Sequence, residues 1–516
     1  MAGLDELARR RRLSEDEARP EAVERRRRGG GRTARENIEG LVDPGSFVEY
    51  GRLAVAAQRG RRSLDELIAR TPADGLVAGT ATVNAAEFGE RAACAVLAYD
   101  YTVLAGTQGQ SSHRKKDRLF ELIAKAGLPV VFFAEGGGGR PGDTDYPSVS
   151  WLDARAFALW AGLSGAVPRI AVVSGRCFAG NAVIAGCADL IVATESTSLG
   201  MGGPVMIEGG GLGKVEADDV GPLAIHVRNG NVDLAVADER EATAAAKRLL
   251  SFFQGEVAPG EAGDQAALRE LVPERERRAY PVRPIVELLA DAGSAVFLRE
   301  RFAPELTTAL VRMAGMPVGV IANDTRHKAG AITSDAADKG ARFLQLCDAF
   351  GIPVLSLVDT PGMMVGTQAE ETALVRHSSR LLVAGASLSV PLVAVVLRRA
   401  YGLGAQAMVG GSLQEPWLTL AWPGAHLGPM GLEGSVRLAH RRELEEIADA
   451  EQRERRVREL TAAAQANASA FLAASVFELD DVIDPAETRD LVIAALRAAA
   501  HNPPPAPSRR RFVDTW

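Results

Sequence analysis

The chain repeats itself at one large offset, and that repeat limits the fold more than any other feature. Residues 95–100 (AVLAYD) match 319–324 (GVIAND), and 127–131 (GLPVV) match 351–355 (GIPVL). Lys115 falls opposite Lys339 at an offset of 224 residues, and Phe120 falls near Phe343 and Leu344. The correspondence continues through 169–173 (RIAVV) with 391–396 (PLVAVV), and through the small-residue turns 176–182 (RCFAGNA) and 399–405 (RAYGLGA). It then covers 189–193 (DLIVA) with 417–421 (WLTLA), and 199–202 (LGMG) with 427–430 (LGPM). Segments in the same order at near-constant spacing mark a duplication, which has to be recognised before any other fold assignment. A length of 516 residues suits two such halves of roughly 200–250 residues each.

Within each half, short β-branched apolar runs alternate with helical stretches, such as 115–126 and 336–350. Alternation of this kind predicts βα units around a mostly parallel, buried sheet. The expected divisions are a charged helical arm (1–29), a first domain (30–253), a linker rich in Gly, Pro, Glu and Arg (254–284), a second domain (285–500) and a tail (501–516). The tail holds three prolines at 503–505 and three arginines at 509–511.

Several function classes are excluded. A formal net charge of −7 argues against a nucleic-acid protein, which would carry a basic field. Cys94, Cys177, Cys187 and Cys347 form no C-x-x-C pair, and the seven histidines show no ligand spacing, so no metal is expected. No run of about 18 apolar residues predicts a membrane span. Acidic residues interleave the N-terminal arginines, unlike a transit peptide, so a cytoplasmic location is expected.

The chemistry lies in the turns. Where a strand ends in small residues and a helix begins, the first N–H groups point outward and a ligand oxygen can approach them. A pair of such donors makes an oxyanion hole. Ala179-Gly180 offers one and Gly404-Ala405 another. The glycine cluster Gly136-Gly137-Gly138-Gly139-Arg140 follows an apolar run, at the strand end where α/β ligands bind. It is neither a dinucleotide fingerprint nor a P-loop. Arg114, Lys115 and Lys116 could meet phosphates as point charges, and His113 beside them reads as a surface histidine. Glu135 and its repeat partner Asp359 read as loop-shaping carboxylates. No G-x-S-x-G nucleophile is present, and no pair of side-chain bases stands out.

These motifs resemble one family, the β-type carboxyltransferase subunits of propionyl-CoA, acetyl-CoA and methylcrotonyl-CoA carboxylases, over roughly residues 30–490. Residues 33–39 with 42–47 are similar to the family's TARERIELLLDPGSF, and 220–222 with 226–230 sit like its LGGA…H…SG segment. Residues 341–343, 358–362, 366–367, 399–402 and 421–423 also resemble family signatures. The resemblance implies a tandem pair of crotonase-like ββα superhelix domains, the first binding acyl-CoA and the second biotin. It implies transfer of a carboxyl group from carboxybiotin to the α (or vinylogous) carbon of an acyl-CoA, with biotin as the base. The active site would lie where the first half of one subunit meets the second half of another, in a hexamer (a trimer of dimers). Ala179 and Gly180 would hold the acyl enolate oxygen, and Gly404 and Ala405 the biotin ureido oxygen. Gly137, Gly138, Gly139, Arg140, Lys115, Gly362, Met430 and Gly431 would contact the cofactor groups. The chain departs from GPCAGGAVY at Arg176 (for Pro) and Ala179 (for Gly), and its second turn reads YGLGA against YGGAY. Gln406 and Ala407 lie where acyl-chain selection is expected, with the small Ala407 leaving room for a longer chain. Without an A-M-K-M biotin-attachment motif or an ATP-binding segment, the chain implies a separate biotin carboxylase/biotin carboxyl carrier partner. Two rivals remain: the α-subunit of a decarboxylase coupled to a membrane pump, and a non-catalytic scaffold paralogue suggested by Arg176. A simple enoyl-CoA hydratase fits less well, because it uses one crotonase unit and side-chain carboxylates.

Overall fold

The computed structural model describes residues 2–146, 150, 152–501 and 512–516, so the expected tail motifs at 503–505 and 509–511 lie outside the described residues. The chain forms two compact units, Met1–Gly255 with Arg510–Thr515, and Glu256–Arg509 with Trp516.

The first unit opens with helices α1 (Ala2–Leu13) and α2 (Pro20–Arg28). Its main sheet contains β1 (Val48–Glu49), β2 (Leu76–Thr82), β3 (Ala93–Tyr99), β4 (Val130–Phe133), β5 (Arg169–Val173), β7 (Leu190–Thr194) and β9 (Leu234–Val236), in the order β1-β2-β3-β4-β5-β7-β9. A two-stranded ribbon pairs β6 (Arg176–Phe178) with β8 (Ser198–Gly200). Strands β1 to β3 pair antiparallel and β3 onward pair parallel. The central parallel strands β4, β5 and β7 are buried along their length, as continuous apolar runs require. Helix α3 (Gln110–Ala126) covers the sheet, with Phe120 tilted against the buried Trp160 at 5.1 Å between ring centres. It ends at Gly127, whose left-handed φ of 65° caps the last turn. Helix α4 (Gly180–Gly186) follows β6.

The second unit holds an eight-stranded sheet of β10 (Val296–Leu298), β11 (Leu306–Met313), β12 (Met316–Asn323), β13 (Val354–Thr360), β14 (Leu392–Tyr401), β15 (Leu418–Ala421) and β17 (Asp481–Val482), with β16 (His426–Gly428) on the end of β14. Helices α5 (Ser334–Ala349) and α6 (Gly402–Met408) occupy the places of α3 and α4.

The duplication holds at the level of register. Ala95 pairs with Val130 as Gly319 pairs with Val354, and Val130 pairs with Arg169 as Val354 pairs with Leu392. The loop bridges also match: Gln108 N–H to Gly138 O (2.7 Å) and Arg140 N–H to Gln108 O (2.9 Å) in one unit, Ile332 N–H to Gly362 O (3.1 Å) and Met364 N–H to Ile332 O (2.8 Å) in the other.

Two expectations about the ends of the units change. The N-terminal arm folds back on its own unit: Val23 is buried, and Arg19 meets Asp100 at 3.0 Å. The stretch read as a linker contributes Leu268 and Tyr280 to the second unit's core, because its few apolar residues find a groove there. Among the described residues no helix is long and apolar enough to cross a membrane.

Candidate active site

In the first unit, β6 runs into Ala179 and the chain turns into α4. Ala179 has φ 51° and ψ −122°, a conformation that glycine adopts freely and alanine does not. The expectation that Ala179 supplies a free donor is corrected here. Its N–H is taken up by Gly200 O at 3.1 Å, because β8 runs alongside β6 up to this residue. Among the described residues no backbone acceptor takes the N–H of Gly180, Asn181 or Ala182. These are the orphan donors of a helix start, with Gly180 partly exposed and Asn181 and Ala182 buried. Gly180 must stay small, since a Cβ there would lie 3.0 Å from both Gln108 Nε2 and Phe157 Cζ.

The glycine loop borders this turn. A Cβ on Gly138 would lie 2.8 Å from that of Ala179. Gly137 N–H binds Ala105 O at 3.2 Å, and Gly138 N–H binds the Asn181 side-chain oxygen at 3.0 Å. Gly137 and Gly139 face solvent, and Gly138 is buried. Loop and helix start are thus brought together.

Lys115, read as a phosphate contact, and Arg140, expected to contact a cofactor group, turn inward instead. Lys115 is buried, and its Nζ donates to Ala73 O (3.1 Å) and to Leu76 O. Arg140 is buried and pairs with Asp74 and, at 3.5 Å, with Asp143. A buried cation needs such acceptors, so neither charge reaches outward. Lys339 repeats the arrangement, donating to Arg299 O (3.0 Å) and Phe302 O (2.8 Å). The shared lysine is therefore a carbonyl clamp in both units. His113 is not a solvated surface residue either: it lies edge-on to Phe157, and burial with the charges of Lys116 and Arg140 lowers its pKa to about 3.

The strand-end carboxylates are both gripped by arginines. Glu135 receives two bonds of 2.7 Å from Arg26 of α2, which also reaches Glu239 at 2.6 Å. Burial nevertheless pushes Glu135 up to about 7, with Arg26 pulling the other way. Asp359 is held by Arg399 (2.6 Å), Arg398 (3.0 Å) and Tyr280 Oη (2.8 Å).

In the second unit the ladders pair Tyr401 with Gly428 as Phe178 pairs with Gly200. Gly402, with φ 57°, is therefore the counterpart of Ala179, Leu403 that of Gly180, and Gly404 that of Asn181. The expected pair Gly404-Ala405 sits two residues further into its helix than Ala179-Gly180 does. Among the described residues, Gly402, Leu403 and Gly404 donate to no backbone acceptor, while Ala405 lies one turn into the helix that Tyr401 caps. Gly404 lies against the Gly362 backbone so closely that a Cβ would collide with it, and a Cβ on Gly402 would lie 2.8 Å from Pro429 O. Gly362, Gly404 and Pro429 are thus gathered at one turn, with Met430 and Gly431 following Pro429 in sequence. A groove of about 710 Å³ opens there, with Gly402, Leu403, Gln406, Leu427 and Phe477 among its walls. Gln406 lines it, whereas Ala407 is fully buried beneath.

Sequence reasoning missed the side chains of Gln108 and Asn181, and read Lys116 as a phosphate contact where it is instead buried. Lys116 Nζ donates to Gln108 Oε1 at 2.5 Å, and Gln108 Nε2 donates to Asn181 Oδ1 at 3.2 Å. Asn181 in turn donates to Glu135 O (2.9 Å) and Gly106 O (3.2 Å). The available signal was the repeat, which sets these polar residues against Gly340, Ile332 and Gly404.

Comparisons with known proteins agree with this geometry. The carboxyl transferase domain model matches residues 25–512. The propionyl-CoA carboxylase beta chain of Saccharopolyspora erythraea is 34% identical, over 95% of this chain and 91% of that protein. A solved single-chain, multi-domain long-chain acyl-CoA carboxylase superposes with a TM-score of 0.92 at 53% identity, over 96% of this chain, which spans only 49% of that longer chain. The transcarboxylase 12S structure, solved as a hexamer with methylmalonyl-coenzyme A bound, superposes with a TM-score of 0.85 at 30% identity, covering 99% of this chain and 98% of that one. The chain thus belongs to the carboxyl transferase domain family of biotin-dependent acyl-CoA carboxylases, has its crotonase-like fold, and is a carboxyltransferase enzyme.

Proposed function

We propose that this enzyme carries a carboxyl group from carboxybiotin, borne by a separate biotinylated partner, to the α-carbon of a long-chain acyl-CoA. The observation that carries the reading is the pair of helix starts, at Gly180 and at Gly402 to Gly404, whose N–H groups take no backbone acceptor, in two units of one register. Carboxybiotin supplies both the CO2 and the base, which accounts for the lack of an obvious protein base.

The residues of the chain do the rest. The Gly180 N–H donates to the thioester oxygen as negative charge builds on it, the largest single stabilisation such a site can offer. The Gly404 and Ala405 amides hold the ureido oxygen on the second unit. Gly137 and Gly139 let coenzyme A approach the backbone. Asn181 fixes the loop against the helix start. A long acyl chain is supported by the 53% identity to a long-chain acyl-CoA carboxylase and by the Leu403, Leu427 and Phe477 walls of the groove. Assembly as a hexamer is supported by the 12S relative, and a separate carrier by relatives of similar length named as subunits.

The test runs the reaction backwards with the full chain and free biotin. Malonyl-CoA, methylmalonyl-CoA and tetradecylmalonyl-CoA are offered as carboxyl donors, and decarboxylated acyl-CoA is measured. Transfer should be fastest from tetradecylmalonyl-CoA. No biotin-dependent transfer from any donor sinks the reading, and preference for a short donor removes the long-chain part.

A further inference from the structure

The first unit contains a buried polar chain that the second unit replaces, place for place, with apolar or minimal residues. Lys116, Gln108 and Asn181 are linked in series and almost wholly shielded from solvent. The hydrogen-bonded bridges at Gly138 and Gly362 make Ile332 the counterpart of Gln108, and the shared offset makes Gly340 that of Lys116. Where Lys116 stands, the second unit has Leu306 and Leu381 against Gly340. The same fold is thus built without these three groups, so the fold does not require them. A buried lysine held by a side-chain amide oxygen is costly, which makes its presence in only one unit informative.

The far end of the chain lies at the site. Asn181 Oδ1 accepts both Gln108 Nε2 and Gly138 N–H, and its Nδ2 binds the carbonyls of Glu135 and Gly106. Asn181 is the residue next to Gly180 and stands where the family motif has alanine. One side chain therefore ties the glycine loop to the helix start, and Lys116 holds it in place from behind through Gln108.

We infer that Lys116, Gln108 and Asn181 are positioning residues for carboxyl transfer, acting as a single unit that fixes the Gly136–Gly138 loop relative to the Gly180 donor. This rests on the proposed function, in which Gly180 serves the acyl thioester. The second unit's turn performs its task without such a brace.

The test compares three full-length variants: Asn181→Ala, the pair Lys116→Met/Gln108→Ile, and all three together. Replacing both partners of the Lys116–Gln108 bond with apolar groups avoids leaving a buried charge alone. Each of the first two should lower kcat for transfer to biotin by ~10-fold, with KM for the CoA donor within ~2-fold, and the triple variant should be no slower than the worse of them. Amide exchange at residues 136–138 should rise in all three, and exchange across the second unit should not. Multiplicative rate losses, or a kcat unchanged in both, overturn the proposal. So does unchanged exchange at 136–138 in the Lys116→Met/Gln108→Ile variant. If wild type transfers to biotin from no donor, the proposed function fails by itself, and the exchange measurement still decides whether the three residues act together.

Discussion

The two units share a register but differ in how each secures its strand-end carboxylate. In the second unit Asp359 is held by Arg398 and Arg399 of the neighbouring strand β14, and by Tyr280. In the first unit the position equivalent to Arg399 is Arg176, which is half-exposed and meets only Asp218, at 3.5 Å. Glu135 instead takes Arg26 from the N-terminal helix α2. A duplicated fold can therefore keep a buried carboxylate while changing which segment neutralises it. Arg176, the departure that suggested a scaffold paralogue, faces solvent and does not block the Gly180 turn.

The comparison can be broken most sharply at these arginines. Arg399→Ala strips a buried carboxylate of its shortest partner and should cost ~3 kcal/mol of stability, whereas Arg176→Ala should stay within ~0.5 kcal/mol. Denaturant melts of both variants measure the contrast, and similar losses would refute it. Next comes Gly180→Pro, which deletes the outward donor and should slow transfer by ~10²–10³ without lowering affinity for coenzyme A comparably. An unaltered rate in a folded variant would rule out that donor.

A smaller effect separates the two kinds of lysine. Burial lowers Lys116 to about 7 and Lys339 also to about 7, but Lys339 clamps three carbonyls while Lys116 meets one amide. With its folded pKa below the unfolded value, Lys116 leaves the unfolded chain binding the extra proton between about pH 7 and 10.5, so wild-type stability rises with pH across that window. Lys116→Met should stabilise by ~1–3 kcal/mol at pH 6.5, and the gain should shrink towards pH 10. Melts at both pH values test the sign. The smallest change is Ala179→Gly, which should add ~1 kcal/mol by relieving the left-handed alanine that its counterpart Gly402 avoids.

Much of this was legible in the sequence. The register of the two units, the paired turns and the Glu135/Asp359 correspondence follow from matched short motifs, because strand cores and turns carry local signatures. Direction was not legible. Lys115 looked like a phosphate contact because its neighbours are basic, yet helical geometry turns it onto carbonyls some forty residues upstream in sequence. Ala179 looked like a free donor because nothing local shows that β8 will arrive beside it. The Arg26–Glu135 pair joins positions 109 residues apart, beyond the reach of any local pattern.

The sealed lysines have one more consequence. Lys115, Lys116 and Lys339, shifted down by burial to about 8, 7 and 7, lose the ordinary preference of an amine for its charged form near neutrality, and would regain it if exposed. An enzyme that handles activated thioesters risks acylating its own amines. Closing all three beneath helices and strands keeps the neutral form of these amines, which burial itself favours, away from the reagent the enzyme works with.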